Sequence, residues 1–114
     1  MKLNHLNLTV TDVLVAKQFL ETYFGLHNQG GGKKLSFLSD DNGLVLTLMQ
    51  ADPAGEVRYP PNFHIGFIQE SEAQVNEMNQ RLKDDGFEVP LPQRFHAWTF
   101  YFQAPGGFTI EVLA

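Results

Sequence analysis

The sequence predicts an α+β fold in which one βαβββ unit is used twice. Three observations carry that expectation. Two stretches open alike, Asn4-His5-Leu6-Asn7-Leu8-Thr9-Val10 and Phe63-His64-Ile65-Gly66-Phe67, with a histidine at the matching place. Each runs into a helical pattern stopped by glycine. Each copy then closes on a strand behind a glycine turn, Asn42-Gly43-Leu44-Val45-Leu46-Thr47-Leu48 and Gly106-Gly107-Phe108-Thr109-Ile110-Glu111-Val112. An internal repeat of this kind marks supersecondary units that bury a shared core because neither covers its own apolar face.

The elements follow in order. Residues 3–10 alternate, with Leu6, Leu8 and Val10 on one face and His5, Asn7 and Thr9 on the other, the period of a strand with two environments. Thr11-Asp12 offers an N-cap, and Ala16, Phe19, Leu20, Tyr23 and Phe24 recur at helical spacing up to Gly25. His27 to Gly32 reads as a loop ending in three glycines. Lys34 to Ser39 and Leu44 to Gln50 read as strands joined by Asp40-Asp41-Asn42-Gly43, a hairpin turn. Residues 51–61 carry three prolines and Gly55 and read as a linker between modules of about 1–50 and 62–114, together one domain.

In the second module a strand is expected over about 62–68. Ser71-Glu72-Ala73-Gln74 is a capping box, Val75, Met78 and Leu82 share a helix face, and Gly86 is the stop. Phe87 to Val89 reads as a short strand and Phe95 to Gln103 as a longer one. Pro105-Gly106-Gly107 turns the chain into a last strand, Phe108 to Leu113. There Phe108, Ile110 and Val112 alternate with Thr109, Glu111 and Leu113. Phe100 and Phe102 take the helix side of the preceding strand, which sets Thr99 and Tyr101 beside Glu111.

A chain of 114 residues with 43% hydrophobic and 18% charged residues is an ordinary globular protein with enough material for a core. A net charge of −5, with its basic residues scattered, argues against a nucleic-acid surface. The absence of cysteine excludes a disulfide framework, a thiolate nucleophile and a zinc–thiolate site. No apolar run is long enough to cross a bilayer and the start turns polar at once, so a soluble cytoplasmic protein is expected, without a membrane partner.

Laid over each other, the copies match His5 to His64 and Thr47 to Glu111. Two imidazoles and a carboxylate suit one divalent ion such as Zn, Ni, Mn, Fe(II) or Co, with positions left for water or substrate. They converge only if the two sheets fold toward each other. A lone strand histidine is more often a hydrogen-bonded core or surface residue, and a lone glutamate in a terminal strand is usually solvated. Two features favour the metal here: the histidines occupy matching positions, and Glu111 lies on the inward face, where a carboxylate without a cation carries a desolvation cost of several kcal/mol, on the order expected for buried ions.

These residues resemble the vicinal oxygen chelate superfamily, which includes glyoxalase I, bleomycin-resistance proteins, fosfomycin-modifying transferases, methylmalonyl-CoA epimerase and extradiol dioxygenases. The resemblance is carried by His5 to Asp12, by Phe19-Leu20-Glu21-Thr22-Tyr23-Phe24-Gly25-Leu26, and by Phe100-Tyr101-Phe102 leading through Pro105-Gly106-Gly107 to Ile110-Glu111. It implies curved sheets forming an open barrel around a metal cup, and a homodimer, often with exchanged modules. It also implies His5, His64 and Glu111 as metal ligands, with Tyr101 lining the cup.

The departures narrow the chemistry. Glyoxalase I generally has a fourth protein ligand where this chain has Thr47, which is a poor ligand and no base near neutral pH. The fosfomycin transferases have a C-terminal arginine segment, whereas three residues follow Glu111 here, and Leu91 and Phe95 stand where a lysine and a serine contact the phosphonate. Extradiol dioxygenases use a further histidine near the place of Met49. His96 could substitute only through a bulge, because strict alternation from Tyr101 turns it to the other face. Trp98 shares that parity and reads as a packing or interface residue. Arg94, at a strand start, is the only nearby cation for an acidic ligand.

The inner wall expected from parity includes Leu35, Phe37, Val45, Met49, Phe95 and Tyr101. With the polar Asn7, Thr9, Thr47 and Thr99 it would bind an apolar or aromatic small molecule carrying a chelating oxygen pair. The same aromatics could equally fill the barrel. The expected function is a metal-dependent enzyme of lyase, isomerase or dioxygenase type, with Tyr101 and Glu111 in the chemistry. The alternative is a non-catalytic binding protein of the bleomycin-resistance type.

Overall fold

The computed structural model describes residues 1–53 and 55–114, so residue 54 of the expected linker lies outside it. The elements are β1 (His5–Val10), α1 (Val13–Phe24), β2 (His27–Gly31), β3 (Leu35–Ser39), β4 (Val45–Gln50), β5 (Ile65–Ile68), α2 (Glu72–Asp84), β6 (Gln93–Arg94), β7 (Trp98–Ala104) and β8 (Phe108–Leu113). This is βαβββ twice, the α+β class expected. Close contacts divide the chain into one unit of Met1–Tyr59 with Ala104–Phe108, and a second of Pro60–Gln103 with Thr109–Ala114. Among the described residues no helix is long and apolar enough to cross a membrane.

In the first unit the sheet order is β1-β4-β3-β2, with β1 parallel to β4 and the other pairs antiparallel. The helical crossover between β1 and the later strands permits that parallel pair. Leu8, Val10, Leu38 and Leu48 lie on the buried face, and α1 packs on β3 and β4 with Val13, Ala16, Phe19 and Leu20 buried. Full burial of each such aliphatic side chain contributes about 1.5–3 kcal/mol. The Asp12 carboxylate accepts from Val15 N–H at 3.1 Å to cap α1, and Gly25 ends it.

Strand β2 replaces the expected loop at 27–32. All five of its residues are exposed and a bulge interrupts its pairing with β3 between Asn28 and Gly31. An edge strand with no buried face has no apolar alternation to reveal it. Linker residue Tyr59 closes on the opposite edge: its hydroxyl accepts from Thr9 N–H at 2.8 Å and donates to Thr9 C=O at 2.7 Å. Tyr59→Phe is expected to cost about 1–2 kcal/mol, since each net bond contributes roughly 0.5–1.5 kcal/mol. Burial raises the Tyr59 hydroxyl above its usual 10.0, against the lowering by its two bonds to Thr9. The neutral side chain therefore stabilises fully below pH 10.0 and progressively less as pH rises through its folded value. Urea denaturation of both proteins between pH 8 and 11 checks the difference.

The β7–β8 turn also belongs to the first unit. Thr11 N–H donates to Gly106 C=O at 3.0 Å, and Gly106 has φ +116°. A Cβ there would come within 3.1 Å of Ala16 Cβ and of Phe108 Cε1, so both backbone conformation and space require glycine.

In the second unit the sheet order is β5-β8-β7-β6, with β5 parallel to β8 and Gly66 opposite Glu111. Ser71 caps α2 by accepting from Gln74 N–H at 3.2 Å. The reciprocal arm of the capping box reaches one residue further back, from Glu70 N–H to the Gln74 amide oxygen at 2.9 Å. Gly86, at φ +92°, closes the helix: Phe87 N–H donates to Leu82 C=O and Gly86 N–H to Lys83 C=O, the paired bonds of a Schellman stop. Val75 and Leu82 are buried, and buried Asn79 donates its amide to Pro90 C=O at 2.7 Å.

Three local expectations differ here. No strand forms at 87–89. Residues 62–64 lead into β5 as a turn and extended chain. The expected strand from Phe95 is instead a tight hairpin, with Gln93 opposite Thr99, Arg94 opposite Trp98, and Phe95 N–H bonded to Ala97 C=O at 3.0 Å. Phe95-His96-Ala97 is thus a loop, which has no strand parity.

Candidate functional site

The second unit gathers polar side chains around one carboxylate. Glu111 projects from β8 on the face opposite Ile110 and Val112, and its side chain is only 6% exposed. Thr99, two residues from Tyr101 on β7, directs its hydroxyl at Glu111 Oε2 at 2.7 Å and also lies 3.1 Å from Val112 C=O. His96 Nε2 approaches the same Oε2 at 2.8 Å. His64 Nε2 faces the other oxygen, Oε1, at 3.4 Å. Tyr101 bonds to the carboxylate as well and sets its ring edge-on to His64, with centroids 5.2 Å apart.

The electrostatics follow. Burial pushes the Glu111 carboxyl up, but hydrogen bonds from Thr99 and Tyr101 and the imidazoles of His96 and His64 together outweigh it and hold it below the usual carboxylate value. Tyr101 is pushed up, first by burial and then by its bond to Glu111 and that residue's charge. At neutral pH the pair is a carboxylate anion and a protonated phenol.

His64 carries a further constraint. Its Nδ1 lies 3.0 Å from the Asn62 carbonyl, which can only accept, so Nδ1 bears a proton and Nε2 is the ring atom turned toward Glu111 Oε1. An imidazole nitrogen and a carboxylate oxygen so placed are bridged by a proton on Nε2 or by a cation held between them. Donors on neighbouring positions of a metal with bonds of about 2.1 Å lie roughly 3–3.4 Å apart, which the 3.4 Å separation matches. The donor pair therefore fits a divalent ion. A cavity of about 470 Å³ opens beside it, lined by His64 and Tyr101 and by the amides of Asn62 and Gln103 and the Thr109 hydroxyl.

The remaining expected residues belong to the first unit or to the hairpin loop. His5, Asn7 and Thr9 stand in register with Val45, Thr47 and Met49, and these with Ser39, Phe37 and Leu35, so they share one sheet face. His5 Nδ1 pairs with Asn4 Oδ1 at 3.1 Å, which leaves Nε2 as the ring nitrogen for any further bond. Thr47 donates to Asn7 Oδ1 at 2.6 Å. Phe95 is 64% exposed in its loop. Arg94 is paired with Glu72 at 2.6 Å and lies over the Trp98 ring, whose Nε1–H donates to Asn76 of α2. Among the described residues no group of three or more His, Asp and Glu side chains is gathered as a metal-binding cluster.

Parity set His96 apart from this face, and the structure brings it in. The reason is the hairpin, which ends β6 at Arg94 and starts β7 at Trp98. The only sequence signal is Pro90-Leu91-Pro92, which keeps β6 short and so leaves room for a return within a few residues.

A family model described as the Glyoxalase/Bleomycin resistance protein/Dioxygenase superfamily matches residues 2–112. Among solved structures, one described as a possible glyoxalase from Bacillus cereus is 54% identical, with a TM-score of 0.93 over 100% of this chain and 99% of that one. The fosfomycin resistance protein FosX from Listeria monocytogenes is 25% identical, with a TM-score of 0.83 over 100% of this chain and 93% of its own. A lactoylglutathione lyase from Agrobacterium tumefaciens, 19% identical with a TM-score of 0.77 over 98% and 92%, shares the fold. Comparison with curated proteins gives no match.

Proposed function

Because the chain belongs to the glyoxalase/bleomycin resistance protein/dioxygenase superfamily, we propose that it is a metal-dependent enzyme for a small molecule with two adjacent oxygens. His5, His64 and Glu111 are the ligands in this reading, for one Zn, Ni, Mn or Fe ion. The observation that carries it is His64 Nε2 facing Glu111 Oε1 at 3.4 Å, with the opposite ring nitrogen committed to a backbone carbonyl. When bound, the ion supplies Lewis-acid polarisation of the substrate oxygens.

The chain's own groups do the rest. Tyr101 keeps its proton at neutral pH, directed at Glu111 in the free protein, and is the donor beside His64 for which a substrate oxygen would compete. Asn7 and Thr9 offer polar contacts, and Phe37 and Met49 apolar ones, from a single sheet face. The Thr47 hydroxyl is committed to Asn7, which supports three protein ligands rather than four and argues against lactoylglutathione lyase chemistry. Arg94 is committed to Glu72 and Trp98, which argues against a phosphonate such as fosfomycin. An uncharged, partly aromatic substrate fits these constraints. A homodimer accords with the family and is checked by sedimentation.

Metal content of untagged protein purified without added metal tests the reading. About one equivalent is expected, lost in His64→Ala with the fold retained, since catalytic sites hold one ion through three protein ligands and an open position. No uptake of any candidate ion would overturn it and favour the second reading, a binding protein without catalysis. The exposed Leu35 and Met49 on the same sheet face support that alternative. Its mark would be tight binding of a planar ligand by metal-free protein.

A further inference from the structure

We infer that His96 is a positioning residue that saturates one oxygen of the Glu111 carboxylate and so dedicates the other to the metal. The inference rests on the metal reading and adds to it the denticity of its carboxylate ligand. A carboxylate oxygen has two lone-pair sites. At Oε2 both are addressed, by Thr99 Oγ1 at 2.7 Å and by His96 Nε2 at 2.8 Å. With Oε2 filled, the Tyr101 bond falls to Oε1, the oxygen that faces His64, and leaves it one lone pair for an ion. Thr99 has a single proton and divides it between Glu111 and the Val112 carbonyl at 3.1 Å, so His96 supplies the full second bond.

The hairpin holding His96 is braced. Arg94, two residues before it, pairs with Glu72 of α2, and Trp98, two residues after it, donates to Asn76 of the same helix. Arg94 also lies over the Trp98 ring at 5.3 Å, which ties the two strands of the hairpin together. The imidazole itself is 56% exposed, so it fills no core space and its place is explained by its bond to Glu111. A carboxylate with one oxygen so occupied binds an ion through a single atom. That would leave one more coordination position for the paired oxygens of a substrate.

Titration of the full chain with Co(II), followed by visible absorption and by competition with a chelator, tests this in wild type, His96→Ala and His96→Gln. In His96→Ala the freed Oε2 joins the coordination sphere. The visible bands should weaken as the coordination number rises, and affinity should fall by about 10–100-fold, the usual effect of losing an outer partner of a metal ligand. His96→Gln, whose amide can donate to Oε2, should restore both. A His96→Ala protein with the wild-type spectrum and affinity would overturn the inference and leave the metal reading standing. So would complete loss of binding in both variants, which would make His96 a ligand. Wild-type protein that takes up no Co(II) would overturn the metal reading, and this inference with it.

Discussion

Glu111→Ala is expected to abolish metal binding and turnover while leaving a folded protein. The carboxylate is the meeting point of His64, His96, Thr99 and Tyr101, so its removal takes away a ligand and the shared partner of those four side chains at once. Affinity should fall by more than the roughly 10–100-fold that follows loss of an outer partner, because a direct ligand is lost. The stability effect is smaller than breaking a buried ion pair suggests. Removing the anion strands no buried charge, since both imidazoles reach solvent and Thr99 keeps the Val112 carbonyl. A cost of about 1–3 kcal/mol, that of unsatisfied buried polar groups, is expected in place of the larger penalty for an orphaned charge. Metal analysis and urea denaturation of the same sample separate the two effects. One equivalent of metal retained in Glu111→Ala would remove Glu111 from the site.

The second large effect is on folding. Phe108→Ala should destabilise the protein by about 3–5 kcal/mol, the range for a buried aromatic truncated to alanine. Phe108 is 1% exposed and begins β8 directly after the glycine turn. Its ring fills the space a Cβ on Gly106 would enter, close to Ala16 of α1. The turn cannot collapse into the vacancy, because Thr11 N–H holds the Gly106 carbonyl and Gly106 sits at a positive φ. A cavity should therefore persist, which puts the loss at the upper part of that range. Against a total stability of about 5–15 kcal/mol, such a loss leaves a marginal protein. Chemical denaturation gives the number directly. A shift below 1 kcal/mol would show that the first unit closes around the missing ring.

The two variants fail differently because they act on different levels of the molecule. Phe108 holds apolar packing that this fold rests on, whereas Glu111 spends buried space on a charge that packing alone would not choose. The buried anion is tolerated through its four neighbours, and their geometry is what recommends it as a ligand.

What the sequence determined by itself was everything set by short-range periodicity and capping chemistry. The alternation of Leu6, Leu8 and Val10 and of Phe108, Ile110 and Val112 has the strand period. Asp12 and Ser71 are caps by residue type, and Gly86 is a helix stop because only glycine takes that φ cheaply. From these the α+β class and the two βαβββ modules follow, and alternation alone puts Thr99 and Tyr101 beside Glu111. Tertiary structure alone decided the rest. β2 is a strand because β3 offers an edge, not because His27-Asn28-Gln29-Gly30-Gly31 is apolar. Tyr59 completes β1 from 50 residues away. His96 reaches Glu111 because a hairpin braced on α2 overrides the parity that would have turned it outward. Each of these depends on pairing between separate elements of the fold, and a pattern with a period of two or of 3.6 residues holds no information about it.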